Sequence, residues 1–137
     1  MYLIGFPLLV VPFAIYNMIA FLTPGMSWTD HIVTFGLISG QDWTVTPEDI
    51  LLAFSILLLS VEIMKATRMG VRAIVDHVLS MLLFIAMLIE FLLVKQAGTS
   101  TFFILMVISL VDVLAGFIVT ARTAQRDIAI DRVEPTI

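Results

Sequence analysis

Apolar residues run almost unbroken from Tyr2 to Leu22, and no charged residue precedes Asp30. Three further apolar stretches follow, Ile50–Ala66, Ala73–Val94 and Phe102–Ala121, each interrupted only by isolated ionisable groups. Crossing the hydrocarbon of a bilayer takes about 20 mainly apolar residues in a helix. Lipid offers no partner to an exposed peptide group, so each stretch is predicted as a membrane-spanning helix. A barrel of strands would need strict alternation, and runs such as Leu51-Leu52-Ala53-Phe54 and Leu57-Leu58-Leu59 do not alternate. In the first stretch, Pro7 and Pro12 remove backbone donors, and Pro12 is the expected kink. Pro24-Gly25 ends it. With no basic leader region and no small-residue cleavage site, it is expected to be a retained helix.

The connection 23–49 is long and apolar for a plain loop. Ser27-Trp28-Thr29-Asp30 fits a capping box that opens a short interfacial helix to about Ile38, with Gly40 able to close it. A hairpin competes: Val33–Ile38, a turn at Ser39–Asp42, then Trp43–Thr46, favoured by β-branched residues. The helix is the preferred reading, with Trp28 and Trp43 at interfacial depth. The second span has a clear start, with Thr46 as cap, Pro47 at the first helical position and Asp49 three residues after the cap.

Composition agrees with this pattern. Of the 137 residues, 61% are hydrophobic and 13% charged, with a mean hydropathy of +1.12. A soluble domain has about 25% charged residues, and too few are present here to cover a water-facing surface. The chain contains no cysteine, so no disulfide or thiolate site can form. A net charge of −4 without a basic block gives no reason to expect nucleic acid. Lys and Arg orient the spans. Lys65, Arg68 and Arg72 form a basic cluster between spans two and three, and Arg122, Arg126 and Arg132 lie in the tail. The connection 23–49 has none, and Lys95 alone follows the third span. Both termini are therefore expected to be cytoplasmic, in the cell's inner membrane.

Ionisable groups inside spans are the candidate chemistry. Asp112 lies near the middle of 102–121, where an acid costs about 2.5–3.5 kcal/mol on insertion scales. It must point at protein, either holding its proton or bonded to another helix. Ser109, Asp112, Gly116 and Thr120 fall within about 80° of one another, a small-residue face suited to close helix packing. Glu62, Asp76 and His77 are expected with the basic cluster toward the inner side. Glu90 is expected near the outer side, with Lys95 five residues on. The structural alternatives are a snorkelling pair of Glu62 with Lys65 or Arg68, and Asp76 at a helix N-terminus beside Arg72. Asn17 is expected to make an interhelical hydrogen bond of about 0.6 kcal/mol. No cofactor or metal is expected: His31 and His77 fall on opposite sides, the glycines form no phosphate loop, and basic residues crowd the Glu62–Asp76–His77 group. No catalytic triad is evident, so enzymatic activity is not the preferred reading.

The stretch Val61-Glu62-Ile63-Met64-Lys65-Ala66-Thr67-Arg68, with Asp76-His77 and the Asp112–Gly116 segment, resembles small four-span bacterial membrane proteins of unassigned function. The likeness covers about the last ninety residues and implies the topology but no activity.

The expected architecture is an all-α integral membrane protein with a single domain over 1–137. Its four-helix transmembrane bundle has both ends inside, spans at about 2–22, 50–66, 73–94 and 102–121, an interfacial outer segment at 23–49 and a charged tail at 122–137. Its first expected role is a structural or accessory subunit of a homo- or hetero-oligomeric complex in the lipid bilayer. The second is a proton- or cation-linked channel or transporter using Asp112, with Glu62, Asp76 and Glu90 as stations on either side.

Overall fold

A computed structural model describes residues 6–67 and 71–133. Among them, the chain forms four α-helices and a two-stranded hairpin, in the order α1 (Val10–Leu22), β1 (Val33–Gly36), β2 (Asp42–Val45), α2 (Pro47–Ala66), α3 (Val71–Leu93) and α4 (Ser100–Val133), with a short 3-10 helix at Lys95–Ala97 before α4. Two helical stretches, Ile74–Leu93 in α3 and Ser100–Val119 in α4, are long and apolar enough to cross a membrane by length and composition. Only 22% and 39% of their apolar windows are buried inside the protein, so both present much hydrocarbon outward. In α2, the charges Glu48, Asp49, Glu62 and Lys65 interrupt the apolar run.

Helix α1 opens with a Pro7–Val10 turn, in which Val10 N donates to Pro7 O at 3.1 Å. The expected kink at Pro12 is corrected by this start. Pro12 occupies the first turn of α1, where its missing donor would have had no intrahelical acceptor in any case. The earlier part of the expected span, 2–5, lies outside the described residues.

The connection 23–49 also departs from the preferred reading. Residues 33–45 form an antiparallel hairpin and not a helix, in the register Val33↔Val45, Thr34↔Thr44, Phe35↔Trp43, Gly36↔Asp42. Asp30 Oδ2 does accept from Ser27 N at 2.8 Å. Ser27 Oγ, however, accepts from Thr29 N, and Asp30 N donates to Ser27 O, so the group closes a turn where a helix was expected. Beyond it, β-branched Val33, Thr34, Thr44 and Val45 suit a pleated ribbon. Gly40 at the tip takes a φ of 87°, which favours glycine. By contrast, α2 carries both halves of its capping box: Asp49 N donates to Thr46 Oγ1 at 3.3 Å and Thr46 N to Asp49 Oδ2 at 3.1 Å.

α4 is the spine, packed along α2 and α3, while α1 touches α2, α4 and the α3–α4 connection. Its 34 residues span about 51 Å at 1.5 Å each. The tail from Arg122 to Val133 is thus a helical continuation of α4, and not a separate segment. The apolar core gathers Leu9 just before α1, Tyr16 of α1, Leu51 of α2, Leu83 and Met87 of α3, and Phe102, Leu105, Met106 and Ile108 of α4. Tyr16 organises one end of it. Its ring stacks on Trp28 at 4.7 Å and meets Phe102 edge-on at 5.0 Å. Its hydroxyl donates to Gln96 O at 2.8 Å and lies 2.7 Å from Thr99 Oγ1.

Candidate functional site

A long amine among acids cannot stay in a dry interior unless each charge has a partner. α2 supplies the arrangement that meets this requirement. Glu62 and Lys65 stand one turn apart on its inward face, with Glu62 only 2% exposed. Lys65 Nζ donates to Glu62 Oε1 at 3.0 Å, to Asp76 Oδ1 of α3 at 3.4 Å and to Phe6 O at 2.6 Å. Glu62 Oε1 also accepts from Leu8 N at 2.7 Å. That donor belongs to the turn just before α1, so Glu62 satisfies a group the helix start leaves open and sits at the positive end of its dipole.

Lys65, expected in a basic cluster with Arg68 and Arg72, is instead a buried hub between two carboxylates. Arg68 lies outside the described residues, as do the side chains of Arg72 and Thr120. Lys65 is the partner that Asp76 takes among the described side chains.

Asp112 approaches the same place from α4. It is 5% exposed, and its Oδ2 has no hydrogen-bond partner among the described residues. Ser109 Oγ, one turn away, is likewise buried without a partner. Glu62, Asp76, His77, Ser80, Asp112 and Gly116 line one small cavity. Its volume is about 10 Å³, the order of one water molecule. Gly116 makes the approach of α3 to α4 possible, because a Cβ there would lie 2.6 Å from His77 Nδ1. The ring of His77 also faces Phe117 at 6.4 Å.

Asn17 and Glu90 form a second, separate polar contact. Asn17 Nδ2 donates to Glu90 Oε2 at 3.3 Å and to Phe13 O at 3.0 Å, linking α1 to α3. Glu90 therefore meets Asn17, and Lys95 has no ion pair among the described residues. His31 is remote from the cluster, with Nε2 2.7 Å from Thr34 Oγ1.

Comparison with known proteins adds no analogue. No protein family, curated protein or solved structure matches the chain.

The site thus rests on its own geometry. Two carboxyl groups, from α2 and α3, hold one ammonium, and a third from α4 shares a cavity with them, in a region where charge interactions are weakly screened. Two of the carboxyls touch that ammonium, and the third retains an open oxygen beside a water-sized space. Such a set can hold, exchange or relay a proton. Among the described residues, no three His, Asp or Glu side chains are grouped to hold a metal ion, and the Lys65 ammonium occupies the point between Glu62 and Asp76.

The backbone groups of Phe6 and Leu8 were invisible to sequence reasoning, since no side-chain pattern marks a main-chain donor or acceptor. Tyr16 was also missed. A phenol inside an otherwise apolar stretch was the available signal, because a buried tyrosine hydroxyl generally finds a partner.

Proposed function

We propose that this is a four-span integral protein of the cytoplasmic membrane, with both ends inside, in which Asp112 takes up and releases a proton as part of proton-linked transport. The observation that carries the reading is the open Oδ2 of Asp112, buried beside the cavity it shares with Glu62 and Asp76. Carboxyl groups at membrane depth are costly and mark ion and proton pathways. A purely structural acid would be expected to have its oxygens bonded. In this reading, Lys65 holds Glu62 and Asp76 in place, and one water in the cavity passes the proton between Asp112 and those acids.

Purified protein in sealed vesicles under an imposed pH gradient tests it. Proton flux is expected with the native chain and is lost in Asp112→Asn, whose shape is nearly unchanged. Equal flux in both, or none in either, overturns it.

A second reading, a structural or accessory subunit in a homo- or hetero-oligomer, has its own support. α4 runs on to Val133, well past its apolar window ending at Val119. A helix projecting about 20 Å beyond that window offers a docking element to a partner. Under this reading, truncation after Arg122 changes the oligomer size in mild detergent and leaves vesicle flux at the background level.

A further inference from the structure

A groove lies between the outer ends of α1 and α2, away from the carboxylate cluster. Its volume is about 490 Å³, within the range of about 300–1,000 Å³ typical of small-molecule sites. Ile15 and Ile19 form one wall, Ile50 and Phe54 another, and Trp28 and Asp30 close the end toward the hairpin.

Three observations define what the groove suits. The first is apolarity, since hydrocarbon side chains make almost all of the lining and would accept a hydrocarbon body. The second is charge. Asp30 lines the groove, and the segment 23–49 that supplies it also carries Asp42, Glu48 and Asp49 and no Lys or Arg, so this end of the molecule attracts cations and repels anions. The third is that an aromatic ring, Trp28, and an acid, Asp30, share the lining. One face of Trp28 is covered by Tyr16 at 4.7 Å, nearly parallel at 6°, yet the residue still lines the groove. A tryptophan ring and a carboxylate in one groove are the combination that recognises alkylammonium groups.

The end wall is also built before any ligand arrives. Glu48 N donates to Trp28 O at 3.1 Å, tying the loop to the start of α2. Ser27 N donates to Asp30 Oδ2 at 2.8 Å and fixes that carboxylate. His31, the other ionisable group in the lining, is turned toward the hairpin by its contact with Thr34. A site held this way loses little freedom on binding.

We propose that this groove binds a lipophilic ammonium compound, with its hydrocarbon body against Ile15, Ile19, Ile50 and Phe54 and its cation between Trp28 and Asp30. The site is separate from the Asp112 cluster and does not depend on proton transfer there.

The chain's two tryptophans make a direct test possible. Trp43 belongs to the exposed hairpin and does not line the groove, so Trp43→Phe leaves Trp28 as the sole reporter. In dodecyl maltoside micelles, whose head group carries no ammonium and no charge, this variant is titrated with decyltrimethylammonium and, separately, with decanol. Trp28 emission is expected to change saturably with the ammonium compound and only weakly with the alcohol. Asp30→Asn, whose side-chain oxygen can still accept from Ser27 N, is expected to bind the ammonium compound about fivefold more weakly, the value of one solvated ion pair. Ile50→Lys, at a half-exposed position near the start of α2, places a like charge in the groove and is expected to abolish binding with an unchanged circular dichroism spectrum. Equal responses to ammonium and alcohol, a response that never saturates, or full affinity in Asp30→Asn would each overturn the proposal.

Discussion

Gly116 shows how much a single missing methyl group decides. Its neighbour across the helix interface is the ring of His77, and a Cβ would stand 2.6 Å from Nδ1, well inside van der Waals contact. Gly116→Ala must push the ring aside or part α3 from α4, an overpacking cost of about 1–3 kcal/mol. Thermal unfolding in detergent should register that loss, and His77→Ala in the same chain should restore most of it. Additive losses in the double variant would mean that the two residues do not interfere. Small residues at 109 and 116 were legible as a packing face on α4, because helical periodicity places them together. The identity of the group facing Gly116 was not legible, since it comes from another helix. The same holds for Lys65. Sequence spacing pairs it with Glu62 one turn away, but nothing local shows that it also reaches Asp76 and Phe6 O.

The helices differ in how far their own residues explain them. α2 starts where it does because Thr46, Pro47 and Asp49 satisfy its first backbone groups, and all three are adjacent in the chain. The α3–α4 connection depends on a distant element. Thr99 Oγ1 accepts from Phe102 N at 3.2 Å and so caps α4, while the Tyr16 hydroxyl of α1 holds Thr99 and Gln96. Tyr16→Phe keeps the ring stack and removes the bond to Gln96 O, leaving a carbonyl short of its donor at a cost of about 1–3 kcal/mol. Hydrogen exchange at the amides of residues 96–103 should accelerate in this variant, with little change in α2. Uniform acceleration through all helices would show instead that Tyr16 supports the whole core. The hairpin was harder to read than either. Its turn chemistry and a short helix share the same opening residues, Ser27 to Asp30, and the choice rests on cross-strand pairing such as Phe35 with Trp43 at 6.1 Å.

At the level of the whole molecule, the proposed four-span arrangement makes a plain expectation. A reporter active only outside the cytoplasm should be active when fused at Gly40 and silent when fused at the C-terminus. The protein should also stay with the membrane fraction through an alkaline carbonate wash. Activity at both fusion points, or release into the wash, would exclude that arrangement. The abundance of apolar residues, the two long apolar helices and the start of α2 are all written in the chain itself. Each depends on summed hydrocarbon or on neighbours within a few positions, and neither needs a partner from elsewhere. Contacts between remote segments are different. Glu62 meets Leu8 from 54 residues away, and Tyr16 meets Thr99 across 83. Such pairings depend on the angles at which helices cross, and a one-dimensional order of residues carries no angle. Folding in three dimensions therefore gave Lys65 two acids, left one oxygen of Asp112 open, and turned residues 33–45 into a hairpin.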